Sequence, residues 1–62
     1  MFANLMSELQ NKVSLSFDQM IAIKTANDIS RETVNCIADC VNGLVDFDQF
    51  IASIVFILKS AK

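Results

Sequence analysis

One short pattern occurs twice in this 62-residue chain and fixes where two of its helices begin. Residues 16–22 read SFDQMIA, and residues 46–52 read DFDQFIA. The first residue of each copy, Ser16 or Asp46, favours the N-cap of a helix, because its side-chain oxygen accepts a hydrogen bond from a backbone N–H of the first turn. The repeat therefore predicts two helices with the same start and favours a duplicated helix–turn–helix unit.

The residues around these caps strengthen the prediction. Gln19 and Gln49 lie three positions after the caps, where a side chain can bond back to the cap's backbone N–H and complete a capping box. An apolar residue also precedes each cap and another occupies the fourth helical position, which is the arrangement of a hydrophobic staple. The two staples pair Leu15 with Met20 and Val45 with Phe50. A third staple pairs Ile29 with Val34 around the predicted cap Ser30.

Apolar residues recur at the spacing of amphipathic helices in four segments, so the predicted fold is all-α. We predict helices over residues 2–13 with Asn4 as cap, from Ser16 to Asn27 or Asp28, from Ser30 to Asn42-Gly43, and from Asp46 to about Ser60. Short extended stretches at residues 13–15 and 44–45 connect the first helix to the second and the third to the fourth.

The same spacing predicts which side chains form the core. On the second helix the predicted core face is Phe17, Met20 and Ile21, widened by Ala22 and Ile23. On the third and fourth helices the predicted core faces are Val34, Ile37, Ala38 and Val41, and Phe47, Phe50, Ile51, Ile54, Val55 and Leu58. The fourth helix has a further apolar strip, formed by Ala52, Phe56 and Ile57, on the side that should face water. This strip is the strongest candidate for a binding surface, because a chain that is 53% hydrophobic and this short cannot bury all its apolar surface.

Composition excludes several classes of function. The net charge is −2 and the cations are scattered, whereas nucleic-acid binding needs a basic stripe. The apolar run of residues 50–58 is too short to span a bilayer, and no signal peptide is visible, so we expect a soluble cytoplasmic protein. The chain has no histidine and no activated nucleophile, so we expect no enzyme activity and no cofactor.

Cys36 and Cys40 are the only cysteines. A metal site would need further soft ligands or histidines, and a disulfide within one regular helix has poor geometry. We therefore interpret both as buried reduced thiols that act as small apolar residues, with an intermolecular disulfide in a dimer as the alternative.

Helix, short loop and capped helix, repeated across the chain, resemble one EF-hand lobe. The resemblance implies two helix–loop–helix units, a first hand at residues 2–26 and a second at 29–60, in one lobe over residues 1–62. It also implies a minimal β-pairing between the loops around Leu15 and Val45. The residues that carry it are Gly43, Val45, Asp46, Phe47, Gln49 and Phe50.

The sequence departs from that family in its calcium loop, which has about twelve residues and ends in a bidentate glutamate. The corresponding positions here are Gln19 and Gln49, whose neutral amides cannot supply two carboxylate oxygens. We therefore expect no metal site and no calcium binding.

The resemblance implies a calcium-independent adaptor, similar to a light-chain lobe, that holds an amphipathic and basic helix of the IQ-motif kind. The expected groove residues are Phe2, Met6, Met20, Ile54, Phe56, Ile57 and Leu58. The alternative hypothesis is a small homodimeric structural or regulatory protein without EF-hand ancestry, in which the strip around Phe56 pairs with its own copy.

Overall fold

Four α-helices form the fold in the computed structural model, which describes residues 1–61. They are α1 (Phe2–Lys12), α2 (Phe17–Ile29), α3 (Glu32–Val41) and α4 (Phe47–Ser60). The all-helical class and the number of helices agree with the sequence prediction. No helix within residues 1–61 has the length and apolar character needed to cross a bilayer.

The first helix begins earlier than the sequence suggested. Met1 occupies the N-cap position, without a side-chain hydrogen bond, and helical backbone starts at Phe2. Asn4, the predicted cap, therefore lies inside the first turn. The helix ends at Lys12 because Val13 is extended, while its backbone N–H still donates to the Leu9 carbonyl at 2.9 Å.

The two predicted caps form, but they are not equivalent. Ser16 Oγ accepts from Gln19 N–H at 3.1 Å, and Gln19 Oε1 accepts from Ser16 N–H at 2.9 Å, so the first capping box is complete. Asp46 Oδ1 accepts from Gln49 N–H at 2.8 Å. Within residues 1–61 the Gln49 side chain makes no return bond, so the second box is only half formed.

The core face of α2 agrees with the prediction at Ala22 and Ile23, which widened the predicted face, but not at its centre. Phe17 and Ile21 are 72% and 48% exposed, whereas Ile23 and Ala26 are fully buried. Apolar residues cover more than half of the circumference of α2, so their spacing alone does not select one face. Contacts with α3 and α4 select the side of Ile23. The helix also continues to Ile29, past its predicted end near Asn27.

Both ends of α3 follow local rules. The N-cap of α3 is Arg31, without a side-chain hydrogen bond, so the predicted cap at Ser30 is one residue too early. Ser30 Oγ nevertheless accepts from Glu32 N–H at 3.2 Å, which satisfies one donor of the first turn. At the other end Gly43 has φ 80°, and the N–H groups of Gly43 and Leu44 donate to the carbonyls of Cys40 and Asp39. This is the Schellman motif, in which a left-handed residue after the helix is normally glycine.

The core forms where the helices cross. α1 packs mainly on α3 and α2 mainly on α4, while α3 also contacts α2 and α4. The fully or almost fully buried apolar residues are Leu9, Ile23, Ala26, Ile37, Val41, Phe50 and Ile54. The predicted faces of α3 and α4 contribute to this core, although Val55 is exposed and Thr33, which we did not predict, is buried.

The structure does not confirm the β-pairing expected between Leu15 and Val45. Residues 1–61 contain no strand, and no backbone hydrogen bond joins the two connections at residues 13–16 and 42–46. Both side chains are instead half-buried against the core. The backbone N–H of the neighbouring Leu44 is used by the α3 C-cap.

Candidate functional site

An open groove of about 630 Å³ lies between α3 and α4 and reaches the C-terminal end of α2. Its lining residues are Ile29, Ser30, Glu32, Cys36, Ala52, Ser53, Phe56, Ile57, Ser60 and Ala61. Most of these side chains are apolar or small, and three contribute hydroxyl groups. Such a lining suits an apolar occupant that also has polar groups at its edge.

The α4 wall of the groove is the apolar strip predicted from the sequence. Ala52, Phe56 and Ile57 all line it. Phe56 is 71% exposed, whereas Ile57 is half-buried and also packs against the core. The strip is available because α4 turns Phe50 and Ile54 inward and has apolar residues left on its other side.

The opposite wall comes from α3 and the end of α2. Cys36 and Ile29 provide its apolar surface, and both were assigned other roles from the sequence. Burial raises the pKa of the Cys36 thiol, and the negative charge of Glu32 raises it further. The thiol therefore stays protonated at neutral pH and acts as a small apolar group in the wall.

The second cysteine lies outside the groove lining. Cys40 is half-buried, and its pKa is raised by burial and then by the charge of Asp46. Both cysteines are free thiols and are half-buried rather than buried. Their side chains therefore add to apolar packing, while part of each remains accessible to solvent.

The seven predicted groove residues do not form one surface. Phe56 and Ile57 lie in the groove, whereas Ile54 is 1% exposed and belongs to the core. Leu58 and Met6 are half-buried against that core. They are not among the residues that line the groove.

The remaining two predicted groove residues lie elsewhere. Phe2 lines a different depression, shared with Met1 and Arg31. Met20 is half-buried, and its Sδ accepts a hydrogen bond from Gln10 Nε2 at 3.0 Å. Neither residue lines the groove between α3 and α4.

Sequence reasoning missed the α2 and α3 contributions to the groove. Ile29 was interpreted as a staple residue and Cys36 as core. The sequence did indicate that Ile29 and Cys36 lie near each other. Ile29 directly precedes the predicted cap Ser30, and Cys36 lies one turn after Glu32, so both are near the start of α3. The crossing of α3 and α4 decides that α4 faces the start of α3.

The groove holds a single charged lining residue among residues 1–61, and it is an acid. Glu32 lies in the first turn of α3, where Asn35 Nδ2 donates to its Oε1 at 3.3 Å. In the same part of the chain no group of three or more His, Cys, Asp or Glu side chains is placed to hold a metal ion.

No family model matches this sequence, and neither a characterised protein nor a solved structure matches it.

Proposed function

We propose that this chain is a calcium-independent binding module that holds an amphipathic, basic helix of a cytoplasmic partner protein. The observation that carries the proposal is Phe56, a large aromatic side chain that is 71% exposed on the wall of an apolar groove. Exposed apolar surface of this kind marks interaction sites, and aromatic residues are common anchors of binding energy.

The shape and chemistry of the groove suit a helix. Amphipathic helices bind by laying an apolar face into a groove between other helices. Here the groove runs between α3 and α4, with aliphatic and aromatic side chains on one wall and Cys36 on the other. The acidic Glu32 at its edge and the net charge of −2 favour a basic occupant.

The proposal includes a light-chain-like arrangement, in which residues 2–26 and 29–60 act as two EF-hand-like units and the target is an IQ-type motif. The side-chain caps at corresponding positions, Ser16 at the start of α2 and Asp46 at the start of α4, support this part of the proposal. The two free cysteines agree with the reducing environment of the cytoplasm. The helix-binding role does not depend on this ancestry, because it rests on the groove.

A second candidate function is self-association as a small homodimer. Phe17 on α2 is 72% exposed, and Ile21 one turn later is 48% exposed on the same helix. These side chains lie outside the groove lining and form a second apolar surface that a copy of the chain could cover.

Analytical ultracentrifugation with and without a basic amphipathic peptide separates the two functions. The peptide contains leucine on one face and lysine at the flanks. The proposed function requires a 1:1 complex with a monomer. A tight homodimer that ignores the peptide contradicts the proposal and supports self-association.

Phe56→Asp is the direct test of the groove, and Phe17→Asp is its matched control. Both replace a phenylalanine of about equal exposure, but only Phe56 lines the groove. We expect Phe56→Asp to weaken peptide binding at least tenfold, or about 1.4 kcal/mol, because a charge replaces the anchor. Binding is measured by titration calorimetry and folding by circular dichroism.

Phe17→Asp should bind the peptide as the parent chain does. Equal affinities for the parent and Phe56→Asp, with both proteins folded, would remove the groove from the proposal. Loss of self-association in Phe17→Asp alone would support the homodimer.

A further inference from the structure

Asp39 occupies a position that helix stability does not explain. It lies in the last turn of α3, which contains no basic residue. The C-terminal end of a helix carries partial negative charge, so a carboxylate there is unfavourable and a cation is favourable. Asp39 is exposed, and the ion pair found within residues 1–61 joins Lys24 to Asp28.

Glu32 and Asp39 lie on the same side of α3. Two helical turns separate them, a rise of about 10.5 Å along the axis at about 1.5 Å per residue. Cys36 lies between them along the helix axis. Burial and the charge of Glu32 raise its thiol pKa, the Ser53 side chain lowers it, and the charge of Asp39 raises it least. Glu32 lines the groove, whereas Asp39 lies outside the lining, exposed on the same side of α3 and about one turn beyond Cys36.

The surrounding charges leave this edge acidic within residues 1–61. Lys59 on α4 and Asp39 on α3 are both exposed outside the groove lining, and Arg31 lines the depression beside Phe2. The exposed charges that follow the start of α3 along its length, Glu32 and Asp39, are both negative. The groove therefore has an apolar wall on α4 and an acidic edge on α3. An occupant that matches both needs an apolar face with cations along one flank.

We infer that the helix held in the groove between α3 and α4 carries two Lys or Arg side chains two turns apart, which pair with Glu32 and Asp39. The inference rests on the proposed function and specifies its partner. Phe56 then receives the apolar stripe of that helix, and the cations at i and i+7 lie along α3.

Each pair lies near solvent, so its effect on affinity is modest and sensitive to salt. Exposed ion pairs change a binding constant by about two- to fivefold each, and two such pairs together by about tenfold. At about 1 M salt the Debye length is near 3 Å, so most of this gain should disappear.

Two peptides of identical composition test where the lysines must lie relative to the apolar stripe. The first has lysines at i and i+7 on one flank of its leucine stripe. The second has both lysines on the face opposite the stripe, where they cannot reach α3. We expect the first peptide to bind about tenfold more tightly at low salt, with the difference lost at about 1 M salt.

Glu32→Gln and Asp39→Asn test the two carboxylates, with Glu8→Gln on the exposed side of α1 as the control. Both α3 variants should weaken binding of the first peptide by about two- to fivefold, and the control should not. Asp39→Asn should also raise the melting temperature of the free chain by about 2–6 °C, because it removes a charge that opposes the α3 dipole. If Asp39 served only the stability of the fold, its replacement would not both weaken peptide binding and raise the melting temperature.

The outcomes separate this inference from the proposed function. If both peptides bind equally well and Glu32→Gln and Asp39→Asn leave affinity unchanged, the inference is wrong while the groove function stands. If neither peptide binds, both are wrong. Tighter binding of the first peptide, with weakening by both variants, supports the inference.

Discussion

At the scale of single residues, Thr33 is the clearest departure from what its surroundings require. It is fully buried on α3, and its Oγ1 has no hydrogen-bond partner among the described residues. Burying a hydroxyl without a hydrogen-bond partner lowers the free energy of unfolding by about 1–3 kcal/mol, because the group loses its hydration and gains no bond in the fold. The site therefore holds a threonine where an apolar side chain of the same shape would fit better.

We expect Thr33→Val to raise the free energy of unfolding by about 1 kcal/mol, because valine keeps the shape and removes the unpaired hydroxyl. Urea denaturation of the two proteins measures the change. Thr25→Val is the control, since Thr25 is exposed on α2 and the same substitution there should stay within about 0.5 kcal/mol. A destabilised Thr33→Val protein would mean that the hydroxyl has a partner.

At the scale of helices, the repeated sequence produces two starts of unequal strength. Ser16 and Gln19 exchange both hydrogen bonds of a capping box. At the start of α4 the Gln49 backbone N–H donates to Asp46, but among the described residues the Gln49 side chain makes no bond back to the Asp46 N–H. Asp46 carries a charge that the N-terminal dipole of α4 favours by about 0.3–1 kcal/mol. An ionised cap therefore offsets the missing half of the box.

This difference predicts unequal effects of one substitution at matched positions. Gln19→Ala should lower the free energy of unfolding by about 0.5–1 kcal/mol, because it removes the bond from Ser16 N–H. Gln49→Ala should change it by less than about 0.5 kcal/mol. Thermal denaturation followed by circular dichroism compares them, and equal losses would contradict the asymmetry.

At the scale of the whole molecule, a small core supports a chain rich in apolar residues. A folded chain of this length is stable by about 3–9 kcal/mol, at the usual contribution per residue. The helices bury one contiguous cluster and leave Phe17 and Phe56 exposed on different helices. A change in the charge state of a half-buried group should therefore alter a measurable fraction of the total free energy of unfolding.

Alkaline pH should destabilise the fold through its two thiols. Burial is the main cause that raises the pKa of both Cys36 and Cys40 above the unfolded value of about 8.5. Their contribution to stability is complete below that value and is lost as the pH rises through the folded pKa. We expect the free energy of unfolding to fall as the pH rises above the unfolded pKa of about 8.5.

Urea denaturation under reducing conditions over this pH range measures the effect. The Cys36→Ala/Cys40→Ala double variant is the control, and its stability should depend less on pH. An equal slope in the parent and the double variant would assign the loss to other groups.

Local chemistry allowed the sequence alone to predict much of the fold. Ser16 and Asp46 as caps, Gly43 at the end of α3 and the four-helix class depend on interactions within one turn of backbone, which neighbouring residues decide. The apolar strip at Phe56 was likewise visible, because Phe50 and Ile54 already filled the opposite side of α4.

The tertiary structure decided what depends on which helices meet. Phe17 and Ile21 face outward because α2 packs through Ile23 and Ala26, and the spacing of its apolar residues allowed either face. Ile29 and Cys36 join Phe56 in one groove only because α3 crosses α4 beside the end of α2. The sequence determines how often apolar residues recur along each helix. The crossing of the helices decides which face of each helix is buried.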